Sequence, residues 1–114
     1  MVELVDGATE WQRLGHANAD LVISWDNVAR WERDFAGLNR LKAVHGTLKP
    51  GGILGVVEIR APEGTTFRRM LEDGAATEDH VIALAEVAGF RLVSRSPINA
   101  GAAPSRMTLR FVKP

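Results

Sequence analysis

Five apolar residues in a row, Ile53-Leu54-Gly55-Val56-Val57, are entered through Pro50-Gly51-Gly52 and left through Glu58, Arg60 and Pro62. The run is too short for a buried helix and is bounded by turn residues. It reads as a strand buried on both faces, in the middle of a parallel sheet. Parallel neighbours need crossover connections, which are normally helices on the sheet's faces. In such sheets ligands bind just beyond the C-terminal ends of the strands. This one run therefore points to an α/β layered domain and places any site near Glu58 and Arg60.

The remaining elements follow from local patterns. Val2-Glu3-Leu4-Val5 before Asp6-Gly7 reads as a short strand and turn, and Glu10 to Leu14 as a helical turn. Ala19 to Trp25 is a strand centred on Leu21-Val22-Ile23. Phe35, Leu38, Leu41, His45 and Leu48 recur at helical spacing, and Pro50-Gly51-Gly52 ends that helix. A short helix is expected around Phe67 to Leu71. Thr77 is then an N-cap with Glu78 and Asp79 in the first turn, Val81, Leu84, Ala85 and Ala88 form the buried stripe, and Gly89 is the left-handed stop. Phe90 to Ser94 and Met107 to Val112 are strands joined by a loop at Asn99 to Pro104, and they pair as an antiparallel hairpin.

Composition narrows the function classes. The chain has 114 residues, enough for one domain, with 46% hydrophobic and 25% charged residues. Its 14 basic and 14 acidic residues cancel, so no general attraction to nucleic acid or an anionic membrane is expected. There is no cysteine, hence no disulfide, thiolate metal site or cysteine nucleophile. No apolar run reaches membrane-span length and no secretion signal is present, which reads as a cytoplasmic protein. His16, His45 and His80 are isolated, with no metal-ligand spacing; His45 reads as half-buried and His80 as exposed.

The strand-end rule selects the candidate site residues. Trp25, Asp26 and Asn27 follow the strand centred on Leu21-Val22-Ile23, with Ser24 beside them, and are the cofactor-binding candidates. Trp25 would stack on a ring while Asp26 and Asn27 take polar contacts. Glu58, as a base, and Arg60 are the catalytic candidates. The structural alternative, which these residue types favour, packs Trp25 and Trp31 under the helix, uses Asp26 to cap the following turn, and pairs Glu58 with Arg60.

The punctuation carries a resemblance. An aspartate-opened strand (Asp20-Leu21-Val22), a helix ending in "LKPGG", a strand, a helix ending in "AGF" and a closing hairpin resemble the C-terminal half of a class I S-adenosylmethionine-dependent methyltransferase. More narrowly, "GVVEIRA", "TEDHVIALAEVAGFRLVSRSPINA" and "SRMTLRFVKP" resemble a bacterial group of predicted methyltransferases, over residues 19 to 114. The chain departs from that group in a shorter loop after Asn99 and in lacking histidines near Ala29 and Ile59. No catalytic residue is carried over.

The resemblance implies a Rossmann-like half-sheet, mostly parallel with a C-terminal antiparallel hairpin. Residues 1 to 114 would form a single truncated domain, with residues 1 to 18 as an N-terminal strand or arm. It also implies S-adenosylmethionine as cofactor, held in that family by a glycine-rich loop after the first strand. None of the 11 glycines here forms a G-x-G. The expectation is a methyltransferase-like domain inactive by itself, or a structural or assembly module, natural or engineered. In the complete fold the Leu21-Ile23 strand has a neighbour from the other half. Here its exposed edge would be covered by the N-terminal strand, or by a second copy in a homodimer or element exchange.

Overall fold

The computed structural model describes the backbone of residues 2–5, and residues 19–97, 101 and 105–114 in full. The chain order is β1 (Val2–Val5), β2 (Ala19–Trp25), α1 (Val28–Arg33), α2 (Gly37–Thr47), β3 (Leu48–Ile59), α3 (Phe67–Asp73), α4 (Glu78–Val87), β4 (Arg91–Ser96) and β5 (Arg106–Val112). The expected turn at Asp6-Gly7, the turn at Glu10 to Leu14, His16 and most of the Asn99 to Pro104 loop lie outside the described residues.

The sheet has five strands in the order β1-β2-β3-β5-β4. β1, β2 and β3 are parallel, and β5 runs antiparallel to both β3 and β4. The Ile53-Val57 run is central, as its composition predicts, and the last two strands form the expected hairpin. The edge expected at Leu21-Ile23 is occupied by β1, whose Val2 to Val5 match Leu21 to Ser24.

Burial on both faces is not what the structure has. Val22, Leu54, Val56, Met107, Leu109 and Phe111 are fully buried and join one core with Trp31, Leu41, Val44, Val81 and Ala85 from the helices. On the opposite face Leu21, Ile23, Ile53 and Gly55 are only half-buried, although Val57, nearer the strand's end, is buried. The sheet is thus covered by helices on one face among the described residues. A continuous apolar run cannot reveal this, because it fits two covered faces as well as one.

The helix before β3 also differs from expectation. Its periodic stripe breaks at Phe35, which has φ 56° and is 87% exposed in the turn between α1 and α2. Leu48 likewise falls outside the helix, as the first residue of β3. Pro50-Gly51-Gly52 is not a break before the strand but an irregularity within it: Ala19 faces Leu48 while Leu21 already faces Ile53. Gly51 adopts φ +83°, and its N–H donates to the Lys113 carbonyl at 2.7 Å. A Cβ on Gly52 would lie 2.8 Å from the Lys49 carbonyl oxygen, so the bulge needs a residue without a side chain there.

Around α4 the expectations hold. The Thr77 hydroxyl accepts from the His80 N–H at 3.1 Å, and Gly89 turns out of the helix at φ +108°. α3 is capped the same way by Thr66, which accepts from the Arg69 N–H at 3.2 Å.

Val56 is fully buried on the central strand beneath the helices. Val56→Asp places a carboxylate there without a partner, at a cost of at least ~3 kcal/mol, a large fraction of a small domain's stability. The variant is expected to lose its cooperative thermal transition in circular dichroism, whereas Ile53→Asp, on the half-exposed face, keeps one at a lower temperature.

Candidate functional site

The C-terminal ends of β2 and β3 bring some of the candidate residues together and commit others to holding the fold. β2 ends at Trp25, and Asp26 then takes φ 56°, a left-handed conformation uncommon for any residue but glycine. Its N–H donates to the Val57 carbonyl at 2.8 Å, which turns the chain sharply over the end of β3. The Asp26 carboxylate is held from the other side by Arg106, whose Nη2 lies 2.9 Å from Oδ2 and whose Nε lies 3.1 and 3.2 Å from the two oxygens. Such a forked, charge-assisted contact fixes orientation as well as charge. The same guanidinium lies over the Trp25 ring, 5.6 Å from its centroid. Trp25 remains 42% exposed.

Glu58 has a different task. Its side chain is 1% exposed. Oε1 accepts from the Val28 N–H and Oε2 from the Ala29 N–H, each at 3.0 Å. These are first-turn amides of α1, whose N-cap residue, Asn27, makes no side-chain cap bond. A strand carboxylate thus does what a cap residue normally does, at the helix end where negative charge is favoured. Burial pushes the Glu58 carboxyl up to about 7, against the pull of the Ala29 and Val28 amides, and the Asp26 charge adds to the rise.

The Asn27 amide nitrogen donates to the Ser24 hydroxyl at 3.1 Å, inside the same buried turn. Arg60 points away from Glu58 and pairs with Glu78 of α4 at 3.0 Å. The expected Glu58–Arg60 pair is therefore absent: Glu58 is drawn inward by the α1 amides, and Arg60 lies beyond the strand's end. The expected packing is also divided between the two tryptophans, since Trp31 is 2% exposed and Trp25 is not under the helix. Asp26 does not cap the turn, because Arg106 takes its carboxylate.

Sequence reasoning missed Arg106 as a member of the cluster. Its position follows from the β3–β5 register, which sets Arg106 opposite Ile59. No pattern within "SRMTLRF" marks it. Of the histidines, His45 is half-buried as expected, edge-on to Phe90 at 5.0 Å, and burial lowers its pKa. His80 is half-buried rather than exposed, with Nε2 2.7 Å from Glu32 Oε2. No group of three metal-ligating side chains occurs among the described residues.

The raised Glu58 pKa carries a stability signature. Its ordinary value of 4.5 applies in the unfolded chain, and about 7 applies in the fold. The folded state therefore binds the extra proton between these values. This group's contribution is fully present below about pH 4.5 and is lost as pH rises through about 7. Glu58→Gln is expected to flatten the melting temperature over that window. Glu58→Ala leaves two buried N–H groups without an acceptor and lowers stability by about 2 kcal/mol at neutral pH, measured by urea unfolding.

No protein-family model matches this sequence, and no curated protein matches it. Solved structures do. The mitomycin 7-O-methyltransferase MmcR superposes with a TM-score of 0.70 at 19% identity, over 93% of this chain and 33% of that one. Human N-acetylserotonin methyltransferase, in complex with SAM, gives 0.70 at 22% identity over 92% and 32%. The Burkholderia thailandensis 1,6-didemethyltoxoflavin-N1-methyltransferase gives 0.69 at 16% identity over 93% and 49%. The chain spans about a third of the length of the first two. Across nearly its whole length it has the fold of S-adenosylmethionine-dependent methyltransferases.

Proposed function

We infer that this chain is a methyltransferase-like module that does not bind S-adenosylmethionine on its own. The reading is carried by one juxtaposition. The fold coincides with methyltransferases over 93% of this chain but only 33% of MmcR, while no G-x-G occurs in the sequence. A backbone loop that approaches a nucleotide closely needs glycines at that spacing. The polar residues at the strand ends offer no substitute. Asp26 is held by Arg106, Asn27 is bonded to Ser24, and Glu58 is taken up by the α1 amides. The described residues do not fit the cofactor, and no methyl-transfer step is assigned to them.

In this reading a methyltransferase site is completed by a further polypeptide. Trp25 and Arg106 would then stand at its rim, as the half-exposed aromatic and cation nearest the strand ends. Titration calorimetry with S-adenosylmethionine and S-adenosylhomocysteine is expected to show no saturable binding below millimolar concentration. Micromolar binding by this chain overturns the proposal.

Self-association is the second reading, and the short edge strand favours it. β1 has four residues and stands between β2 and the free edge of the sheet. So small a strand is readily exchanged between two copies, each lending its β1 to the other's Leu21-Ile23. Light scattering is expected to give a dimer mass at tens of micromolar. A monomer for the full chain rejects it.

A further inference from the structure

The face of the sheet opposite the helices contains a groove of about 410 Å³. Leu21, Ile23, Ile53 and Val57 supply its apolar floor, and Gly55 leaves a recess at its centre. A Cβ added at Gly55 would make only ordinary van der Waals contact, with Ile23 Cγ1 at 3.9 Å and the Val22 carbonyl oxygen at 4.0 Å, so the position admits a side chain and is not a tight backbone approach. The volume falls within the roughly 300–1,000 Å³ of pockets that take small molecules.

One side of the groove is polar. Arg110 lies directly across from Gly55, and Ser94 lies directly across from Arg110. Guanidinium and hydroxyl therefore flank the same stretch of floor. Arg110 is exposed and forms no ion pair with any described residue, unlike Arg106, which Asp26 neutralises. A ligand lying on the floor would desolvate a charge that has no counter-ion among the described residues. Such contact is favourable only if the ligand brings the missing negative charge. A second copy packed face to face would instead bring its own Arg110 towards this one.

The geometry points to a binding site for a small amphipathic organic anion, an apolar body on Leu21, Ile23, Ile53 and Val57 with its carboxylate on Arg110 and Ser94. The site lies on the open sheet face, beside the Trp25–Arg106 cluster, since Trp25 is the cross-strand partner of Val57, and it does not depend on the methyltransferase reading.

Dodecanoate, with dodecanol as its neutral counterpart, tests this on the full chain by calorimetry and amide chemical-shift mapping. One saturable site is expected, with shifts centred on Gly55, Thr108 and Arg110. Arg110→Glu should weaken it by about tenfold or more, the loss of one charge-assisted contact. Gly55→Leu should fill the recess and abolish binding. Should Gly55→Leu fail to fold, the shift map and Arg110→Glu decide the matter. Equal binding of dodecanol, unsaturable uptake, shifts centred on the helical face, or an unchanged affinity in Arg110→Glu each overturns the site.

Discussion

The first amides of α1 find their acceptors 30 and 29 residues further along the chain, on the carboxylate of Glu58. α1 has six residues, too few to be stable on propensity alone, and lacks an acidic first turn or a side-chain cap of its own. A fully buried carboxylate on the central strand supplies what is missing. Much of the site end of the molecule depends on that contact. It seats α1 so that Trp31 enters the core, and it fixes the start of α1 just after the left-handed turn at Asp26. That turn in turn sets Trp25 and Asp26 where Arg106 can reach both. The cost is a buried acid whose ionisation burial opposes.

The far end of the same crossover is secured with the opposite charge. Lys113 Nζ donates to the carbonyls of His45 and Leu48 at 2.9 and 2.8 Å, at the C-terminal end of α2. An anion therefore holds the beginning and a cation the end of the helical connection between β2 and β3, as the helix dipole favours. Glu58 comes from β3 and Lys113 from just past the end of β5, both remote in sequence from the helix ends they hold. Charge here joins layers, and Glu58, the strongest catalytic candidate by position, is one of the joining groups.

The two faces of the sheet give the molecule an asymmetry with functional weight. One is packed by helices into a single core; the other is apolar along its centre and edged by Arg110. At the strand ends this second face also carries Trp25, half-exposed beside a neutralised arginine.

Much of the architecture was legible in local sequence. Thr77 and Gly89 bracket α4 because a hydroxyl cap and a left-handed stop act on their immediate neighbours. The Ile53-Val57 run had to be a central strand because only a sheet interior accepts five apolar residues between turns. The Asp20, "LKPGG" and "AGF" punctuation pointed to the methyltransferase fold that the solved structures share. The one-sided burial of β3, the place of Pro50-Gly51-Gly52 inside it, and the tasks of Glu58, Asp26 and Arg106 were not legible. Each depends on which strands lie side by side and in what register, a choice made by the sum of many weak contacts across the sheet. Short-range preferences determined the elements of this protein, and long-range pairing alone decided which of its charges hold the fold and which stay at the surface.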